Sequence, residues 1–227
     1  MSKVVIFGNA EIASLAHFYF KNDSDYQIVA FTVDDEFVRE DTLEGLPVIP
    51  FSEINNKFSV EEYSMHVALS YQKLNKLREE KYETVKQKGY NLVSYVSSKS
   101  AYWNDIQVGD NCFILENQTI QPSVIIKNNV MLWSGNHIGH GTVIGSHTYL
   151  ASHVVISGHC KIGERCFFGV NATLKDFLEI GDDCFITMDA SVSQNLKNGS
   201  VVFGAKSEIF EEDHKVSKIV KKKYFGL

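Results

Sequence analysis

A small α/β domain followed by a parallel β-helix is the fold that this sequence of 227 residues predicts. Two observations predict it. From position 108 to position 192 every sixth residue is a mid-sized or large apolar one, fifteen times without a break: Val108, Ile114, Ile120, Ile126, Leu132, Ile138 and so on to Val192. That period fits neither the 3.6 of an amphipathic helix nor the 2 of a half-buried strand, and chance does not sustain it in a chain that is 44% hydrophobic. A fixed six-residue period marks a β-helix in which each hexad is one face of a prism and three hexads close a coil. Ahead of the repeats, short apolar runs alternate with helical text, the order of a parallel sheet with helical crossovers.

The elements of the first hundred residues follow from this order. Residues 3–8 (KVVIFG) form a buried strand ending in Gly, and residues 10–21 carry Ile12, Leu15, Ala16, Tyr19 and Phe20 at helical spacing. Residues 27–33 (QIVAFTV) form a second strand, closed by Asp34 and Asp35. A third strand is expected at 66–71, a charged helix at about 73–87 and a fourth strand at 92–96. The loop Gly8-Asn9-Ala10 leads from the first strand into the first helix, where free backbone N–H groups suit a phosphate or ribose. Asp34 and Asp35, at the end of the second strand, suit ribose or base donors. A purely structural turn is the alternative, because the loop has one glycine where G-x-G-x-x-G has three, and Glu11 would oppose a pyrophosphate. Hydride transfer from NAD is disfavoured on the same grounds.

Within the repeats, the residue after the apolar one is often Gly (Gly109, Gly139, Gly145, Gly163, Gly169, Gly181), which suits a tight turn. Four residues after it the side chain is mostly small, as at Cys112, Val124, Thr142, Thr148, Cys160, Cys166, Ala172 and Cys184, giving a second inward position. All four cysteines fall there, so they are expected to fill the interior. Cys166 and Cys184 stand one coil apart, where a disulfide is conceivable only outside a reducing compartment. No C-x-x-C occurs, and no structural zinc site is expected.

Five histidines crowd one stretch: His137, His140, His147, His153 and His159. His147, His153 and His159 are six apart, hence on successive sides of the prism, and cannot share one ion within a chain. No metal site is therefore expected, and most of these rings are read as solvated or hydrogen-bonded. His140, in GNHIGHGTVIG, differs: it lies at a non-core position with Gly158 beside it on the next coil, leaving open backbone and room for a ligand. An imidazole there suits general-base chemistry near neutral pH.

The stretches HIGHGTVIG and KIGERCFFGVNATL resemble blocks of the sialic-acid O-acetyltransferase and bacillosamine-pathway N-acetyltransferase group, a resemblance that covers nearly the whole chain. It implies a Rossmann-like sugar-nucleotide-binding domain (1–100), a left-handed β-helix acyltransferase domain (101–200) and a C-terminal cap or tail (201–227). It further implies a homotrimer, acetyl-CoA as acyl donor, His140 as catalytic base, CoA contacts near Gly158 and Gly169-Val170, and a nucleotide-linked sugar held by Gly8, Asn9, Ala10, Asp34 and Asp35. The chain departs from the group at three places: Ile12 stands near the first-loop histidine, Gly141 stands where an acid often follows the catalytic histidine, and VFGAK (202–206) lacks the proline of G-x-P-A-K.

A net charge of −6 disfavours nonspecific nucleic-acid binding. The first residues lack the apolar stretch of a signal peptide and no run approaches a membrane span, so a cytoplasmic location is expected. The charged tail is expected to cap the open end of the β-helix, and Lys221-Lys222-Lys223 is read as a solvated terminus. The leading expectation is N-acetylation of a nucleotide-linked amino sugar. O-acetylation of a sugar hydroxyl is its rival within the class. A metal-dependent hydratase, disfavoured by the lack of an H-x4-H pair, and a noncatalytic trimeric binding module are the rivals outside it.

Overall fold

A computed structural model of the protein describes residues 2–226. The chain opens with β1 (Ser2–Phe7), α1 (Glu11–Asn22), β2 (Tyr26–Val33), β3 (Thr42–Leu43), β4 (Leu46–Pro50), α2 (Ile54–Lys57), β5 (Tyr63–Val67) and α3 (Lys76–Gln87). They build a sheet of order β3-β4-β2-β1-β5, parallel except for the short hairpin β3–β4. The expected third strand, at 66–71, is instead Tyr63–Val67, and the chain beyond it runs into a turn that is left-handed at Lys73, Leu74 and Asn75. The expected fourth strand is divided: Leu92 makes a single bridge to Met65, and Tyr95–Val96 leaves the domain for the prism. Strand β4 was not expected, since Pro47 and Pro50 mask it; it lies against β2 near one side of the sheet, where lost N–H donors cost least.

Eighteen two-residue strands follow, β6 (Tyr95–Val96) through β23 (Val201–Val202), in three parallel sheets. Face I carries Ile138, face II Ile144 and face III Leu150, and strand residues pair with those eighteen positions on, as Ile138 with Ile156, until the last coil, where Phe185 pairs with Val201, sixteen on. The result is a left-handed parallel β-helix. Its interior is the predicted one: the six-residue apolar series and the small positions Cys112, Val124, Thr142, Thr148, Cys160, Cys166, Ala172 and Cys184 are buried together. The polar members of the small set are satisfied by a shared device. Most donate to the corner carbonyl fifteen residues on, as Cys112 to Lys127 (3.0 Å), Thr148 to Gly163 (3.0 Å) and Cys166 to Gly181 (3.1 Å), and in the last coil Cys184 donates to Lys197, thirteen residues on. A buried carbonyl that would lack a partner thus gains one. All four cysteines are free, and burial pushes the Cys112 and Cys166 thiols up to about 12, which leaves them inert.

The corners correct one expectation. The left-handed backbone that turns each coil falls three residues after the apolar position, at Asn111, Asn129, His147, His153, His159, Arg165 and their equivalents, with φ between 53° and 65° for those. The glycines one residue after it turn nothing. They are required by close stacking: a Cβ on Gly139 would lie 2.5 Å from the backbone nitrogen of Gly158.

The α/β domain sits on face III, where Tyr19, Phe20 and Tyr95 pack with Phe113, Met131 and Tyr149. Tyr19 also donates to Glu116 (2.6 Å). Along the edge between faces II and III runs a ladder of stacked corner residues. Asn111 donates to Asn129 (2.8 Å), and Asn129 meets His147 Nδ1 (2.9 Å). Arg78 from α3, 1% exposed, enters this ladder and donates to Asn129, to Asn75 Oδ1 (3.2 Å) and to the His147 carbonyl (2.7 Å). Arg165 pairs with Asp183 (2.9 Å) and with Glu79 (3.0 Å) on the same edge. The tail does not behave as the expected cap. Helix α4 (Lys215–Phe225) buries none of its residues, and Leu196 and Val202 lie against the last coils of the core.

His147 is buried in this ladder rather than solvated, and burial followed by the Arg78 charge holds its pKa down at about 4. Burial likewise lowers His66 to about 4. Both are neutral in the fold but protonate near 6.5 when unfolded, so the unfolded state binds more protons between those limits. Stability is complete above about pH 6.5 and falls as pH drops towards 4. In His147→Asn, which tolerates the left-handed corner and continues the asparagine ladder, the acid loss should shrink by roughly 2–3 kcal/mol. Urea unfolding at a series of pH values checks this; an unchanged pH dependence would refute it.

Candidate functional site

His140 stands on the edge between faces I and II, exposed. Its backbone N–H and its ring Nδ1 both meet Gln121 Oε1, at 2.9 and 3.0 Å. The ring lies edge-on to His159, with centroids 4.7 Å apart, and His159 stacks on Phe177. Gly158 is where stacking by eighteen puts it: a Cβ there would stand 2.8 Å from the His140 ring, so glycine makes room for the imidazole. Gly141 is a left-handed corner at φ 66°, and a Cβ on it would lie 2.6 Å from His159 Nδ1. A side chain at Gly141, where the resemblance leads one to seek an acid, would require the His159 ring to shift.

A second concavity lies on the α/β domain. One part, about 500 Å³, is lined by Asn9, Ala10, Asp34, Arg39, Gln72 and Lys81 among others. The adjoining part, about 540 Å³, shares Ala10 and Gln72 and reaches Tyr71, Trp133 and Tyr149 on the prism side. Gly8 shapes the floor: φ is 137° and a Cβ would lie 2.7 Å from the Ala68 carbonyl oxygen. Asn9 donates to the Phe37 carbonyl (2.9 Å), and Ala10, as the residue before α1, supplies no side-chain cap; the Ala13 N–H donates back to the Ala10 carbonyl (2.8 Å), while Glu11 and Ile12 line the cleft. Asp34 pairs with Lys81 (2.9 Å); burial pulls Lys81 down, but Asp34 outweighs it and the pKa is raised. Asp35 departs from the expected role. It accepts from Ser52 N (3.1 Å) and Ser52 Oγ (2.6 Å), holding the turn Phe51–Glu53 and lining neither part of the cleft.

Gly169 and Val170 occupy the edge between faces III and I, one edge away from His140, with Gly169 tucked under Met188 and Val170 39% exposed. The remaining histidines are dispersed. His147 lies on the II–III edge, His153 on the III–I edge against Gly135, and His159 on the I–II edge. Among the described residues no three His, Cys, Asp or Glu side chains gather around a metal-sized space.

Sequence reading brought together His140 with Gly158, and Gly8, Asn9 and Ala10 with Asp34; it missed Gln121, Arg39, Gln72, Lys81 and Trp133. The I–II edge of a three-sided prism is the one opposite face III. Within one chain, then, His140 and the cleft lie on opposite sides of the β-helix.

Residues 123–158 match the bacterial transferase hexapeptide family (six repeats). No curated protein matches the chain significantly. Among solved structures, PerB from Caulobacter crescentus in complex with CoA and GDP-perosamine is similar at TM-score 0.80 and 19% identity, covering 93% of this chain and 98% of that one. The acetyltransferase domain of PglB from Neisseria gonorrhoeae FA1090 is similar at TM-score 0.79 and 16% identity, covering 90% and 100%, and has also been solved with acetyl coenzyme A. WeeI from Acinetobacter baumannii AYE is similar at TM-score 0.57 and 17% identity, covering 91% and 99%. The two-part fold is thus shared over almost its full length. No helix among the described residues is long and apolar enough to cross a membrane.

The Gly8 geometry predicts a cost for any side chain at the cleft floor. Gly8→Ala should destabilise the fold by roughly 2 kcal/mol and lower Tm by about 4–8 °C, through the positive φ and the Ala68 clash. Calorimetry checks it, and an unchanged Tm would show that the floor can yield.

Proposed function

We propose that the protein is an acyl-CoA-dependent sugar acyltransferase that N-acetylates a nucleotide-linked amino sugar, as a homotrimer, with His140 as general base. The observation that carries this reading is an exposed imidazole fixed by Gln121 on a glycine-lined edge of a hexapeptide prism. A separate cleft on the α/β domain, in which Asn9, Asp34, Arg39, Gln72 and Lys81 stand on a mainly apolar lining, supports it. So does the shared fold with proteins solved with CoA, acetyl coenzyme A and GDP-perosamine.

The cleft offers Asn9, the first turn of α1, Arg39 and the Asp34–Lys81 pair to the nucleotide. The bare backbone near Gly139 and Gly158 lets an acyl thioester lie against the I–II edge. His140 Nε2 takes a proton from the sugar amine as its nitrogen attacks the thioester carbonyl, and a backbone N–H steadies the developing oxyanion. The carbon–sulfur bond then breaks, the thiolate leaves, and the imidazolium returns the proton to it. No enzyme nucleophile is needed, and the buried thiols offer none. Because His140 and the cleft face opposite ways in one chain, a cyclic trimer unites the cleft of one subunit with His140 of the next. The contacts proposed at Gly169-Val170 fit the same arrangement, since that edge borders the face which carries the cleft.

Thiol release from acetyl-CoA with UDP-, dTDP- and GDP-linked amino sugars tests the reaction. It should depend on one amino sugar and fall by on the order of 10²–10⁴ in His140→Ala; near-normal turnover in that variant would remove the histidine from the mechanism. Release with sugar hydroxyls alone would point to O-acetylation.

Mixed trimers test the assembly. Ala10→Trp fills both parts of the cleft, so it should be inactive alone, as should His140→Ala. Unfolded and refolded together in equal amounts, they should recover about a quarter of wild-type activity, the fraction of junctions that pair an intact cleft with an intact histidine. No recovery would place both halves of the site in one chain.

A further inference from the structure

The group that holds His140 in one protonation form can be named from geometry. Gln121 lies one coil and one residue before His140, on the same edge, and its own backbone N–H donates to the Ile138 carbonyl (2.9 Å), so its Cα is fixed in the register of the sheet. Its side-chain oxygen receives two contacts, from the His140 backbone nitrogen at 2.9 Å and from ring Nδ1 at 3.0 Å. A main-chain N–H can only donate. The amide atom facing it is therefore oxygen, which removes the ambiguity that normally attends a glutamine side chain. The same oxygen faces Nδ1, so Nδ1 must carry the proton, and the lone pair lies on Nε2. The titratable group in contact with the ring is His159, edge-on at 4.7 Å between centroids, and Gly141 and Gly158 contribute no side chain.

We infer that Gln121 is the positioning residue of this site: its carboxamide oxygen, held by the His140 backbone N–H, locks His140 as the Nδ1–H tautomer and presents Nε2 as the base. The inference rests on the proposed acyltransfer for its catalytic meaning but not for its geometry. A carboxamide carries no charge. It orients the ring without adding the basicity that a carboxylate in its place would confer.

Two readouts separate this inference from the reaction. Histidine-selective ¹⁵N NMR needs no substrate, with His140→Ala assigning the signals. Wild-type His140 should show the Nδ1–H form. Gln121→Leu should move it towards the Nε2–H form that unconstrained imidazoles favour. Gln121→Glu, which keeps size and both contacts, should hold the Nδ1–H form and take up its second proton about one pH unit higher. A wild-type Nε2–H form, or a spectrum indifferent to both substitutions, would overturn the inference whatever the protein catalyses. In turnover, Gln121→Leu should lower kcat about 10–100-fold with KM for both substrates nearly unchanged. Gln121→Glu should restore kcat with the acidic limb of the profile shifted up by about one unit. Should Gln121→Leu fail to fold, the Glu variant alone decides, since an unshifted His140 titration in it contradicts the contact. Wild-type protein with the expected spectrum but no acyl transfer would sink the proposed reaction and leave the positioning intact.

Discussion

Until the last coil, each residue of the prism stands over the one eighteen positions before it, and that register is the constraint on which the rest depends. Two-residue strands are too short to twist or to hold a sheet alone, so their stability comes from repetition: each coil buries large apolar side chains at ~1.5–3 kcal/mol apiece against those above and below. The register also decides what the other positions permit. Where coil meets coil at the turn, Gly139 has no room for a Cβ against Gly158. Where the chain bends, a left-handed residue recurs, and asparagine, histidine and aspartate stack into columns. Inward thiols and hydroxyls are admitted because a carbonyl fifteen residues on accepts from them.

The columns make the three edges of the prism unequal. The II–III edge is occupied by a polar ladder that binds α3, with Arg78 neutralised by no carboxylate but held by two asparagines and a carbonyl. Removing any one of these acceptors would leave a buried cation under-bonded, which makes the ladder a rigid dock for the α/β domain. The III–I edge borders the cleft through Trp133. The I–II edge, opposite the face on which the α/β domain sits, carries His140 and Gly158. A fold that uses one edge for docking and opens a cleft over the adjoining face leaves the His140 edge turned away from both, where the proposed trimer would place a neighbouring copy.

How far the sequence was legible follows from whether a signal repeats. The apolar period, the small inward positions, and the neighbours His140 and Gly158 all obey fixed intervals and were readable. The glycines after each apolar residue were placed correctly but explained wrongly, because sequence shows where flexibility is allowed and not which neighbour demands it. Asp34 and Asp35 look equivalent as consecutive acids, yet Ser52, seventeen residues away, claims only Asp35. The segment at 92–96 reads as one strand, but its ends belong to different sheets. The charged tail reads as a cap over open strand edges, yet its helix buries none of its own residues, and charged text alone does not show that.

Gln121 is the instructive omission, since it stands nineteen residues from His140 and so falls just off the interval that reveals stacked pairs. With glycine at 141, the residue after the histidine supplies no orienting group, and Gln121 reaches the ring from the preceding coil instead. A carboxylate reaching the same spot would raise the basicity of the ring, but it would also set a negative charge on the edge where the proposed acyl-CoA, itself polyanionic, would lie. A carboxamide fixes the ring without that repulsion. In the proposed reaction the proton transfer then falls to an imidazole oriented by hydrogen bonding alone.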